Sequence, residues 1–145
     1  MKLVVIDSNI VFSSLRSKES KLLTLVESNH DMVFFTPNFL IVEIFKHRER
    51  LRKRSKLTED EFLELLNGIV QKLRFFNESM ISTANLIHGW KLVKDVEPKD
   101  HLFVALALEL DAKLWTRDEE LRAGLLKRDS IIFLMKMQRM DSESN

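Results

Sequence analysis

The sequence predicts an α/β fold, and three observations carry the prediction. Short apolar or β-branched runs alternate with longer stretches of helical period along the chain. The first of these runs, Leu3-Val4-Val5-Ile6, is apolar at every position, as in a parallel strand covered on both faces. Leu102 to Leu108 is apolar nearly all round and rich in alanine, which favours a helix buried on all sides over a strand. Residues 1–135 are expected to form a single domain, and the polar, aperiodic residues 136–145 a flexible tail.

Taken in order, the strand at residues 2–6 is followed by Asp7, with Ser8 or Asn9 as cap of a short helix over Ile10 to Arg16. A second short helix spans Lys21 to Glu27, and Met32-Val33-Phe34-Phe35 is the next strand. Thr36-Pro37 then reads as a helix start, with Thr36 as N-cap and Pro37 at the first helical position of a helix reaching Lys53. Thr58 and Glu61 have capping-box spacing, so another helix runs from there to about Gln71. A short strand at Leu73 to Phe76, a helix from Ser79 to Trp90 and a charged loop at Lys94 to Lys99 lead to Asp100, which opens the buried helix. Lys113 to Thr116 is a strand, Asp118 caps a helix over Glu119 to Lys127, and Ile131 to Leu134 is the last strand.

Composition removes several kinds of chemistry. The chain of 145 residues contains no cysteine, which excludes disulfides and thiolate metal sites. Its three glycines, Gly68, Gly89 and Gly124, lie too far apart for a phosphate-cradling or dinucleotide-binding loop, so no nucleotide cofactor is expected. The four histidines lack zinc-ligand spacing. Neither a leader peptide nor a membrane-spanning segment is apparent, because Asp7 interrupts the apolar start and later apolar runs are short; a cytoplasmic protein is expected. With 23 basic and 22 acidic residues, affinity for nucleic acid must come from local charge.

Four acids stand at the edges of apolar segments: Asp7, Glu43, Asp100 and Asp118. In a doubly wound sheet the crevice lies outside the carboxyl ends of the strands, where Asp7 and Asp118 would project. Glu43, within Phe39 to Phe45, is costly to bury without a partner. Two bare carboxylates about 4 Å apart repel by roughly 4 kcal/mol at an effective dielectric near 20, and a divalent cation relieves that. Oxygen donors without cysteine or histidine select Mg2+ or Mn2+. Each acid singly has a plainer role, since Asp100 and Asp118 are placed as helix caps and Asp7 as the close of a turn.

The ordered motifs Val5-Ile6-Asp7-Ser8-Asn9, Thr36-Pro37 with Glu43-Ile44, Asp100 to Ala107, and Leu114-Trp115-Thr116-Arg117-Asp118 resemble the PIN-domain ribonucleases, including the toxins of VapBC-type toxin-antitoxin pairs. The resemblance covers nearly the whole chain. It implies a three-layer α/β/α fold with a central, mostly parallel sheet, frequent homodimers, and Mg2+- or Mn2+-dependent hydrolysis of RNA, with a cognate antitoxin as partner. It also implies that Asp7, Glu43, Asp100 and Asp118 are the catalytic and metal-binding acids, supported by Ser8, Asn9 and Thr116. Asp95 and Glu97 are candidate auxiliary acids.

Between Lys46 and Lys56 seven basic residues accompany one acid, so Arg48, Arg50, Arg52, Lys53 and Arg54 are candidate RNA-binding residues. The alternative is a solvated helix end favoured by its dipole. The phenylalanines at 34, 35, 39, 45, 75, 76 and 103 are expected in the core. Two other functions compete: a catalytically inactive RNA-binding or protein-interaction module, and a phosphatase of the haloacid-dehalogenase type. The phosphatase reading suffers from Asn9 standing where a second acid is needed.

Overall fold

The apolar N-terminal run forms β1 (Lys2–Ile6), the middle of a sheet in which Val4, Val5 and Ile6 are wholly buried. The structure is a computed structural model that describes residues 1–16, 21–28, 30–127 and 134–135. Among the described residues five strands lie in the order β3-β2-β1-β4-β5, every neighbouring pair parallel: β2 (Met32–Pro37), β3 (Arg74–Phe76), β4 (Lys113–Trp115) and β5 (Leu134–Met135) flank β1. The expected last strand falls on residues 131–134, of which 131–133 lie outside the described residues, as does the expected tail at 136–145.

Alternation along the strands sends neighbouring side chains to two cores. Val4, Ile6, Phe34 and Trp115 pack against α1 (Ser8–Ser14), α2 (Lys21–Ser28), α3 (Phe39–Ser55) and α4 (Glu59–Lys72). Val5 and Leu114 pack against α5 (Thr83–Val93), α6 (His101–Leu110) and α7 (Glu119–Lys127). The result is the expected three-layer α/β/α fold. As expected, α6 is buried nearly all round, from Phe103 to Ala107. Its backbone passes so close to α5 that a Cβ on Gly89 would meet Ala105 at 3.1 Å, which explains a glycine inside that helix. Among the described residues no helix is long and apolar enough to cross a membrane.

Several local expectations need correction. The cap of α1 is Asp7, whose Oδ1 accepts from the Ile10 amide at 3.1 Å, and the helix begins at Ser8. Thr36 and Pro37 do not start a helix. Pairing of Thr36 with Phe75 and of Pro37 with Phe76 extends β2 through both residues, and Asn38 takes the N-cap position without a side-chain bond. The helix expected over Ser79 to Trp90 is a 3-10 turn (Glu78–Met80) followed by α5, because the Ser82 hydroxyl caps the Asn85 amide at 3.2 Å. Phe45 is 69% exposed and Val42 57%, so the apolar start of α3 is not buried all round; Leu40, Ile44 and Leu51 form its inner stripe. The capping box at Thr58 and Glu61 is present on both sides.

Candidate active site

The crevice forms where β1 and β4 lie side by side, since α1 leaves β1 toward one face of the sheet and α7 leaves β4 toward the other. The Asp7 amide donates to the Trp115 carbonyl at 3.3 Å, which keeps the two strand ends level. The Asp7 carboxyl is fully buried; Oδ1 caps α1 and Oδ2 accepts from the Thr116 hydroxyl. Thr116 Oγ1 accepts in turn from the Asp118 amide at 3.1 Å, and Asp118 Oδ1 accepts from the Leu121 amide at 3.0 Å to open α7. Thr116 thereby ties Asp7 to Asp118.

Asp100 arrives from the other direction, at the end of a 3-10 turn (Pro98–Asp100) that leads into α6. It holds the N-cap position, yet its side chain makes no cap bond and its buried Oδ2 has no hydrogen-bond partner. Burial, reinforced by the charges of Asp7, Asp118 and Glu97 and partly offset by Lys99, raises its carboxyl from 3.8 to about 7. Burial likewise pushes Asp7 up from 3.8 to about 6. Hydrogen bonds from Thr116 and the Ile10 and Asn9 amides work against that rise, and the Asp118 charge adds to it. Asp100 therefore feels the charges of Asp7 and Asp118, and Asp7 that of Asp118, although the three come from three segments of the chain.

Glu43 is set apart from them. It is half-buried on α3, its Oε2 lies 3.4 Å from His47 Nε2 one turn later, and Phe12 meets the imidazole edge-on at 5.6 Å. Glu43 and His47 share with Asp100, Ser8 and Asn9 the lining of a cavity of about 190 Å3. Of the auxiliary acids, Glu97 is half-buried, acts on Asp100 and lies 3.7 Å from Lys99, whereas Asp95 is exposed and is not among the charges that shift Asp7 or Asp100. Among the described residues no three acid or histidine groups stand close enough to hold one ion. The chemistry of the donors nevertheless fits a hard divalent cation: carboxylate oxygens from Asp7, Asp100 and Asp118, one of them buried without a partner.

The basic stretch divides by helix face. Arg48 pairs with Glu59, and Arg52 with Glu59 at 3.1 Å and Glu49 at 3.6 Å. Arg50 and Arg54 instead line a cleft of about 360 Å3 beside Asp118, and Lys53 is exposed. Arg16 and Arg117 share that cleft and were not singled out from the sequence, although Arg117 directly precedes Asp118. His47 was set aside with the other histidines for want of ligand spacing, although it stands four residues after Glu43, where a helix makes neighbours. His101 is half-buried, with Nε2 at 2.8 Å from the Leu86 carbonyl and the ring edge-on to Trp90.

Comparison with solved structures gives a fold likeness to a chain in the crystal structure of VapBC2 from Rickettsia felis bound to a DNA fragment from their promoter. The TM-score is 0.61 at 15% identity, over 92% of this chain and 98% of that one. A PilT N-terminus domain protein from the hyperthermophilic archaeon Sulfolobus solfataricus P2 is similar at a TM-score of 0.52 and 14% identity, over 98% of this chain and 92% of that one. At such identities the likeness concerns the fold. Comparison with curated proteins gives no match. The family model described as PIN domain matches residues 5–140, which takes in the crevice and every acid described above, and the chain belongs to the PIN-domain family.

Proposed function

We propose that the chain is a metal-dependent endoribonuclease that hydrolyses RNA phosphodiester bonds, acting in the cytoplasm as the toxin of a VapBC-type pair. The observation that carries the reading is the approach of Asp7, Asp100 and Asp118 to the switch point of the sheet, with Asp7 and Asp100 buried and the charges of Asp7 and Asp118 acting on Asp100. Asp7, Asp118 and Asp100 would hold Mg2+ or Mn2+, with Glu43 contributing from across the adjoining cavity. Such an ion, when bound, lowers the pKa of a water and neutralises charge on the phosphate. Thr116 fixes the Asp7 carboxylate and the Asp118 amide, and Ser8 and Asn9 face the cavity in which the phosphate would lie. An antitoxin partner draws support from the fold likeness to a chain of the VapBC2 structure. A homodimer draws support from the exposed Val42 and Phe45 on α3.

Asp7→Asn keeps the side-chain shape and one acceptor oxygen, for the Ile10 amide, and sets an amide NH2 donor toward the Thr116 hydroxyl while removing the charge. The variant is expected to fold with an unchanged circular dichroism spectrum and to lose Mg2+-dependent RNA cleavage by roughly three orders of magnitude. Parent-like cleavage would remove Asp7 from the mechanism. A second reading, an RNA-binding or protein-interaction module without catalysis, is favoured by the spacing of the acids, no three of which converge among the described residues. Magnesium titration with end-labelled RNA separates the two, because binding without cleavage supports the module.

A further inference from the structure

The cleft beside Asp118 gathers four guanidinium groups from three parts of the chain. Arg16 follows α1, Arg50 and Arg54 lie four residues apart on α3, and Arg117 lies between β4 and α7. Asp118 is the single acid in its lining, and among the described residues no carboxylate forms an ion pair with any of the four. Like charges sharing a concave surface repel, and concentrating them there is unfavourable without a counter-anion. Helix dipoles do not account for the set. They favour cations beyond helix C-termini, but Arg117 stands immediately before the N-terminus of α7, where a cation is disfavoured. The guanidinium fork matches phosphate oxygens two at a time.

The cleft adjoins the acid-lined cavity, since Asn9, Phe12 and Arg50 border both. From this we infer that the cleft is the path of the RNA backbone on the Asp118 side of the scissile bond, with Arg16, Arg50, Arg54 and Arg117 holding successive phosphates. The inference rests on the ribonuclease reading for the identity of its ligand. It also divides the basic stretch: Arg48 and Arg52, held by Glu59, lie outside the path.

The test is binding of a fluorescent single-stranded RNA oligonucleotide to the full chain by anisotropy, in EDTA so that no cleavage occurs, across a series of salt concentrations. Arg54→Ala combined with Arg117→Ala removes two exposed side chains and is expected to leave the circular dichroism spectrum unchanged. It should weaken binding and flatten the slope of log affinity against log salt by about 1.4, from about 0.7 per phosphate contact. Arg48→Ala combined with Arg52→Ala is expected to leave the slope unchanged. The inference is overturned if the parent chain does not bind, if the first pair keeps the parental slope, or if the second pair flattens it as much. Failure of the ribonuclease reading looks different. Arginine-dependent binding by a parent that never cleaves in Mg2+ or Mn2+ keeps the cleft and removes the nuclease, whereas cleavage that Asp7→Asn abolishes, with arginine-independent binding, does the reverse.

Discussion

The carboxyl edge of the sheet has two corners where adjacent strands hand the chain to helices on opposite faces, and they are finished in opposite ways. Where β2 and β3 end, the Asn38 amide donates to the Phe76 carbonyl at 3.0 Å and the Phe39 amide to Glu78 Oε1 at 2.7 Å. Donors at the start of α3 are thus met by acceptors of the neighbouring segment, as free helix-start amides require. Where β1 and β4 end, Asp7 and Asp118 satisfy the first amides of α1 and α7 in the same manner, but a third carboxyl, Asp100, is brought in with no donor for its Oδ2. One corner is balanced, and the other carries surplus negative charge. Local bonding alone would have been complete without Asp100, so its burial is a cost that folding bears for something other than stability.

The largest test of that contrast is the pH dependence of the metal-free protein. A carboxyl held near 6 when folded rather than at 3.8 corresponds to about 3 kcal/mol, and one held near 7 to about 4 kcal/mol. Below pH 3.8 both states are protonated and the cost is absent. As pH rises toward 7 the unfolded chain gives up protons that the folded one retains, so stability falls, and above 7 the full cost is present. Urea unfolding in EDTA should therefore show stability dropping by several kcal/mol between pH 4 and pH 8, over and above the trend of an Asp7→Asn, Asp100→Asn double variant. Identical pH trends in the two proteins would mean that the corner carries no electrostatic load. Added Mg2+ at pH 8 should restore the parent and leave the double variant unmoved.

Thr116→Val should act more weakly at the same corner. It removes the hydroxyl that donates to Asp7 and accepts from the Asp118 amide, at a cost of about 1 to 3 kcal/mol. The bond to Asp7 favours the ionised carboxylate, so the loss should be larger at pH 8 than at pH 4.5. Equal losses at both would show that the hydroxyl serves mainly the Asp118 amide.

How far the two corners were legible beforehand follows from what each depends on. Asp7 and Asp118 were visible because Asp7 directly follows a continuous apolar strand and Asp118 stands three residues past the end of a nearly apolar one, features of neighbouring residues. The Thr58 to Glu61 capping box was visible for the same reason. The β2 to α3 junction was misjudged because Thr36-Pro37 satisfies the local rule for a helix start, while the pairing of those residues with Phe75 and Phe76 depends on a strand some forty positions away. The charged stretch on α3 showed its sign but not its division, although spacing held the clue. Arg48 and Arg52 share one face, and Arg50 and Arg54, two residues along, point to nearly the opposite one. Which face meets Glu59 and which meets the cleft is set by where α4 and α7 pack, and that is not written in consecutive residues.

The balanced corner gives the smallest effect and the sharpest control. Glu78 is half-buried and supplies a carboxylate to the first turn of α3, where both the hydrogen bond and the helix dipole favour it. Glu78→Ala leaves the Phe39 amide without that acceptor and should cost about 1 kcal/mol, the usual cost of a lost cap. Glu78→Gln keeps an acceptor oxygen and loses only the charge, so it should cost a few tenths of that. Neither should alter RNA cleavage at a temperature well below unfolding, because Glu78 lies outside both the acid-lined cavity and the arginine cleft. Thermal unfolding ranks the three proteins, and a cleavage assay supplies the contrast. If Glu78→Ala lowered cleavage, the two corners would be coupled through α3, and Glu43 and His47 on that helix would be the groups that transmit the change.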